Sequence, residues 1–99
     1  MRISENTRKT IVQTVSEVFG HESEAILFGS RLDPHARGGD IDLLVRSTHR
    51  IADKHRKALT LVAKLQRNLG DQPIDVIVLD PDTQPSPIHD NALATGQRL

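Results

Sequence analysis

The chain has 99 residues, a length that suits one domain near the lower end of what supports a conventional core. Lys and Arg total 13 and so do Asp and Glu, for a net charge of zero, so a basic footprint for non-specific duplex binding is missing and only a local patch is open. With 36% hydrophobic residues, 26% charged residues and no Cys, the sequence fits a soluble globular protein and excludes a disulfide scaffold, a thiolate zinc site and a cysteine nucleophile. Apolar runs such as Val76 to Leu79 fall far short of the ~20 residues a membrane span needs. Met1 to Gln13 is charged and polar, with no secretory apolar region, and a cytosolic (cytoplasmic) protein is expected. Trp and Tyr are absent, and Phe19 and Phe28 both sit in apolar runs, which disfavours binding of single strands by base stacking. The five His (His21, His35, His49, His55, His89) show no helical i, i+4 pair and read as solvated.

Ser4 is placed to N-cap a first helix over Glu5 to Phe19, with Glu5 at the positive end of its dipole. Ile11, Val15, Val18 and Phe19 share one face of it, and Gly20 suits its C-cap. Ala25 to Phe28 is a short continuous apolar run, as in a buried strand, and ends at Gly29-Ser30. Asp33-Pro34 and Gly38-Gly39 mark a loop, and Asp40 to Val45 reads as a second strand, antiparallel to the first. Thr48 is a candidate cap for a second helix whose apolar stripe is Ile51, Ala58, Leu59, Val62, Leu65 and Leu69, stopped by Gly70. Ile74 to Leu79, rich in β-branched residues, is the third strand. Asp80-Pro81 opens a tail in which Ile88 to Ala94 form a short helix, with packing back onto the core favoured over docking on a partner because a small domain needs the burial. The order α-β-β-α-β-(α) predicts an α+β fold: a small sheet of about three strands with helices on one face. Residues 1–99 are expected to form a single domain, with a core over 5–80 and a tail over 81–99.

Asp40 and Asp42 stand at i and i+2 on a strand, so both carboxylates point the same way while Ile41, Leu43 and Val45 point into the core. Asp75 is a third carboxylate at the start of another apolar strand, and neither segment contains Lys or Arg. Three carboxylates converging at one sheet edge repel one another, and Mg²⁺ or Mn²⁺ removes that repulsion with oxygen ligands. Two such ions can clamp the attacking and leaving oxygens of a phosphoryl displacement. The plain alternative for Asp40 and Asp42 is a solvated strand face, and for Asp75 a strand-entry turn. Gly29-Ser30, ten residues before Asp40, offers backbone N–H groups and a hydroxyl to a triphosphate, or is simply a turn that ends a strand.

Taken together, Phe28-Gly29-Ser30-Arg31 and Arg37-Gly38-Gly39-Asp40-Ile41-Asp42-Leu43-Leu44-Val45 resemble the polymerase-β-like nucleotidyltransferase superfamily. Its signature is a Gly-Ser turn, a spacer of about ten residues and an Asp-x-Asp strand. The small size points to its minimal nucleotidyltransferases, and the resemblance runs over about residues 5–80, with Asp75 matching the third carboxylate. It implies a minimal nucleotidyltransferase fold in which Gly29, Ser30 and Arg31 hold the nucleotide's phosphates. Asp40 and Asp42 would bind two Mg²⁺ ions, and Asp75 would bind the catalytic one and help deprotonate an acceptor hydroxyl. Arg37 is a further phosphate contact or a solvated loop residue. Two departures stand out: Gly39 replaces a Ser found in many members, and Asp33-Pro34-His35 occupies the spacer.

Members this small are typically encoded beside a helical toxin of the HEPN type. The resemblance therefore implies a toxin–antitoxin pair in which this chain is the antitoxin and transfers AMP from ATP, or another NTP, to a hydroxyl of its partner. The chain has no Tyr of its own to modify. The alternatives are an antitoxin that neutralises by contact with little or no catalysis, and a transferase acting on a small molecule or tRNA. Neutral charge disfavours tRNA, and no acceptor domain is expected after Leu79. A metal-dependent phosphatase or a Toprim nuclease would leave the Gly-Ser turn unexplained.

Overall fold

The first helix, α1, spans Glu5–Phe19, and Ser4 caps it by accepting a hydrogen bond from the Thr7 N–H at 3.1 Å. The structure, a computed structural model, describes residues 3–29 and 40–99. Gly20 closes α1 with φ of 104°, a backbone conformation that favours glycine. Strand β1 follows at Glu24–Phe28, β2 at Ile41–Arg46, helix α2 at Lys54–Leu69 and β3 at Ile74–Leu79. Helix α3 spans Pro87–Thr95, and a two-residue strand, β4, occupies Gln97–Arg98.

The strands form one mixed sheet in the order β3-β2-β1-β4. β1 runs antiparallel to β2 and β4, whereas β2 and β3 are parallel, which requires the long crossover that α2 provides. The α+β class and the antiparallel β1–β2 pair agree with the sequence reading. β4 adds a strand to the three expected.

Alternation along the strands divides the core. Ala25, Leu27, Ile41, Leu43 and Val45 pack with Ile11, Val15 and Phe19 of α1 and with Leu61 and Leu65 of α2. Ile26, Phe28 and Leu44 leave the other face and pack with Ala92 of α3. The helices thus cover both faces rather than one. The reason is in the strands: Ala25 to Phe28 and Leu43 to Val45 are apolar at consecutive positions, so each face needs a cover. The chain's end packs back on the core, as expected, but Ala92 alone of α3 is buried and Ile88 stays 49% exposed. His89 fastens α3 to the sheet: its Nδ1 accepts from the Ser86 N–H at 3.1 Å and its Nε2 lies 3.2 Å from the Val78 carbonyl. It is half-buried and bonded, not solvated.

α2 differs from its expected start. It begins at Lys54, and its N-cap is Asp53 in the left-handed region (φ 51°, ψ 41°), with no side-chain cap. Thr48 caps nothing in this helix. Ile51 lies before α2, buried, and its N–H donates to Asp80 Oδ2 at 2.9 Å. The stripe is also rotated: Leu61 and Leu65 are fully buried while Leu59 is 62% exposed. Two residues span about 200° of helical turn, so Leu59 and Leu61 cannot share a face.

Asp80, the residue after β3, joins these pieces. Its Oδ1 accepts from Lys54 Nζ at 2.8 Å and from Thr83 Oγ1 at 2.7 Å, and its side chain is 0% exposed. These donors hold its carboxyl well below the usual carboxylate range, led by the hydrogen bond from Lys54 and then by the Ile51 N–H. Among the described residues, no helix is long and apolar enough to cross a membrane.

Candidate functional site

The sheet register places the carboxylates. Asp42 and Asp75 are direct partners on the parallel strands β2 and β3, so their side chains leave the same face. That face is the one Leu44 and Ile77 share with α3. Ile41 and Leu43, on either side of Asp42, are buried at 1% and 0% exposure in the opposite layer. The expected alternation is seen from Ile41 to Val45, but β2 begins at Ile41, so Asp40 lies just before the strand; Asp42 is half-buried while Asp40 and Asp75 are exposed.

The two facing carboxylates disturb each other. Burial pushes the Asp42 carboxyl up, and the charges of Asp75 and then Asp40 push it further, as does a hydrogen bond between the Asp42 and Asp75 carboxyls. Among the described residues, no Lys or Arg pairs with any of the three. Asp40 lies near enough to Asp42 to act through charge. No three His, Asp or Glu side chains gather closely enough to hold a metal ion among the described residues. The structure thus brings Asp42 and Asp75 together and leaves Asp40 beside them, outside a closed cluster.

Gly29 completes this corner. Phe28 pairs with Asp42 across β1 and β2, so the next residue, Gly29, lies against the Asp42 carboxylate. Gly29 has φ of 77°, which favours glycine, and a Cβ there would collide with Asp42 Oδ2 and lie 3.2 Å from Cγ. Gly29→Ala therefore combines backbone strain with displacement of the carboxylate. It is expected to cost about 1–2 kcal/mol of stability and to disable the site, as read by thermal unfolding and by metal-dependent nucleotide binding. Wild-type behaviour in both would remove Gly29 from the site. Ser30 and Arg31, the other expected phosphate contacts, lie outside the described residues, as do Arg37, Gly39 and the Asp33-Pro34-His35 spacer.

The donor set fits a divalent magnesium ion. It offers hard carboxylate oxygens, side by side, with no competing cation among the described residues. Mg²⁺ is commonly held by one or two carboxylates and completes its shell with water and substrate phosphates. An open pair matches that habit better than a closed cage would. The sequence reading did not single out Asp80, whose carboxylate is the best-satisfied one described; its role is structural. Nor did it single out the charge of α2, although both were legible: an Asp just past an apolar run, and a helical stretch with no acidic residue.

A small α+β fold with a mixed sheet and paired carboxylates at one end of the parallel strands thus defines the molecule. No protein-family model and no curated protein matches the sequence. Among solved structures, the fold is similar to a chain in a crystal structure of the toxin-antitoxin MntA-HpeT, with a TM-score of 0.67 and 20% identity over 94% of this chain and 70% of that one. That complex is described as a mutant with two Asp-to-Glu replacements two positions apart. At 20% identity the likeness is one of fold.

Proposed function

We propose that this chain is a nucleotidyltransferase-type antitoxin that transfers a nucleoside monophosphate, AMP from ATP in the first instance, to a hydroxyl of a HEPN-type toxin. The observation that carries the reading is the in-register pair of Asp42 and Asp75 against Gly29. It is supported by the similarity in fold to a chain of a toxin–antitoxin complex.

In this reading Gly29, with Ser30 and Arg31, receives the terminal phosphates of the nucleotide. Asp42 and Asp75, with Asp40 beside them, would hold Mg²⁺, which supplies neutralisation of phosphate charge when bound. The acceptor oxygen forms a bond to the α-phosphorus, the bond from that phosphorus to the bridging oxygen breaks, and pyrophosphate leaves. Asp75, exposed at the strand start, takes the acceptor's proton. Buried Ile41 and Leu43 fix the backbone on which Asp42 stands, so the carboxylate is oriented before substrate arrives.

A second reading, neutralisation by contact with little catalysis, is favoured by one observation: three carboxylates do not gather among the described residues. Calorimetry with a non-cleavable α,β-methylene ATP analogue separates the two. Binding that requires Mg²⁺ and is lost in Asp75→Asn is the expected result. Binding indifferent to both would sink the catalytic reading.

A further inference from the structure

α2 carries Lys54, Arg56, Lys57, Lys64 and Arg67 and no acidic residue, in a chain whose net charge is zero. Lys54 is taken by Asp80, and the other four make no ion pair among the described residues. The first turn, Lys54 to Lys57, sets cations at the positive end of the helix dipole, without a side-chain cap. Apart from Asp80, which pairs with Lys54, no described carboxylate makes an ion pair with these cations.

The same helix borders an apolar groove. Its wall is formed by His55, Ala58, Leu59 and Val62, and its floor by Val76 of β3, with Asp75 at one end. β3 is the edge of the sheet, so one of its sides lacks a strand partner. Helical geometry sets Leu59 next to the groove, with Arg56 and Arg67 turned roughly 60–80° further from it. Leu59 is the most exposed of the large apolar residues described.

We infer that the groove between α2 and β3, with its basic margin, is the docking surface for a protein partner that presents an apolar ridge flanked by carboxylates. The inference deepens the reading of a protein acceptor and rests on it. Asp75 borders the groove at the edge strand, while its carboxylate leaves the sheet with Asp42 on the α3 face, so the occupant is set by the basic margin and the exposed Leu59. Charge selects the partner. A second copy would set one uniformly basic α2 against another. A nucleic acid would find the cations but no Phe, Tyr or Trp in the groove wall, and it would leave Leu59 unused.

The test uses the product of the reading frame adjoining this chain's own, titrated against the full chain at two ionic strengths. Arg56→Glu with Arg67→Glu, and separately Leu59→Asp, are compared with Lys9→Glu, an exposed charge reversal on α1. All four positions can be changed without touching the buried core, and circular dichroism checks the fold. Affinity is expected to fall about 30-fold or more in both α2 variants, with a weaker salt dependence in the Arg pair, and to stay near wild type in Lys9→Glu. Near-wild-type affinity in the α2 variants overturns the inference, as does absence of any complex with the wild type. It is also overturned if the variants lose only binding of a mixed-sequence single-stranded RNA, or only self-association in sedimentation. Labelled-nucleotide transfer in the same samples keeps the two levels apart. Transfer that continues in tightly bound α2 variants refutes the surface and leaves the function. Weakened complexes with no transfer even in the wild type refute the catalytic function and leave the surface.

Discussion

Asp42→Asn is expected to lower nucleotide transfer by about 10²–10³-fold while the protein stays folded, with a melting temperature equal to or above that of the wild type. The activity loss follows from geometry. Asp42 faces Asp75 across the parallel strands and touches the Gly29 corner, so it stands where phosphate and cation must meet. The retained stability follows from electrostatics. Burial and the neighbouring charges of Asp75 and Asp40 disfavour ionised Asp42, so a folded protein without metal carries a repulsion that a neutral amide removes. The amide keeps the shape of the side chain, and the flanking Ile41 and Leu43 are untouched. Transfer assays and thermal scans on the same preparation check both halves. Full activity in a well-folded variant would remove Asp42 from the chemistry, and a large drop in melting temperature would show that its carboxylate holds the fold.

Asp80→Ala is expected to cost about 2–4 kcal/mol of stability, the largest single effect away from the hydrophobic core. The Asp80 side chain is fully shielded from solvent, and its removal strands the buried Ile51 N–H more than it strands Lys54. Lys54 is 35% exposed and can turn to water. Thr83, which bonds both the carboxylate and the Asp80 N–H, loses its anchor as well. The same bonds set an acid response. The folded-state carboxyl lies below its ordinary value of 3.8, so its contribution is fully present above that pH and is lost as pH falls further through the folded value. Denaturant titrations from neutral pH down to about pH 2 are expected to show a decline below about pH 4 that is smaller in Asp80→Asn. Equal acid slopes in both proteins would contradict this account of Asp80.

Much of the fold follows from short-range signals. Ser4 and Gly20 bound α1 because capping chemistry is local. β2 and β3 are bounded by the change from apolar runs to turn residues, whereas the facing of Asp42 and Asp75 also depends on β2 and β3 being parallel neighbours in this register. The rest depends on tertiary events that leave little trace in sequence. β4 consists of Gln97 and Arg98, both exposed; main-chain bonds to β1 hold it, and the Arg98–Glu24 pair at 3.2 Å sits beside them. Thr48 looks like a helix cap, but the Ile51 N–H is claimed by Asp80, and the chain passes through a bend and a turn before α2 begins at Lys54. α3 carries one buried residue, Ala92, and one such contact has no periodicity to announce which face of the sheet it covers. At the site, the register sets Asp42 opposite Asp75 and Gly29 lies against Asp42, whereas Asp40 lies on the backbone just before β2.

Label transfer tests the central claim most directly. The chain is mixed with the product of its adjoining reading frame, Mg²⁺ and each α-labelled nucleoside triphosphate in turn, with Asp42→Asn in parallel. The account predicts label on the partner from one nucleotide, ATP first among them, and none with the variant. An intact complex that takes up no label from any nucleotide would contradict it and leave an antitoxin that acts by binding alone.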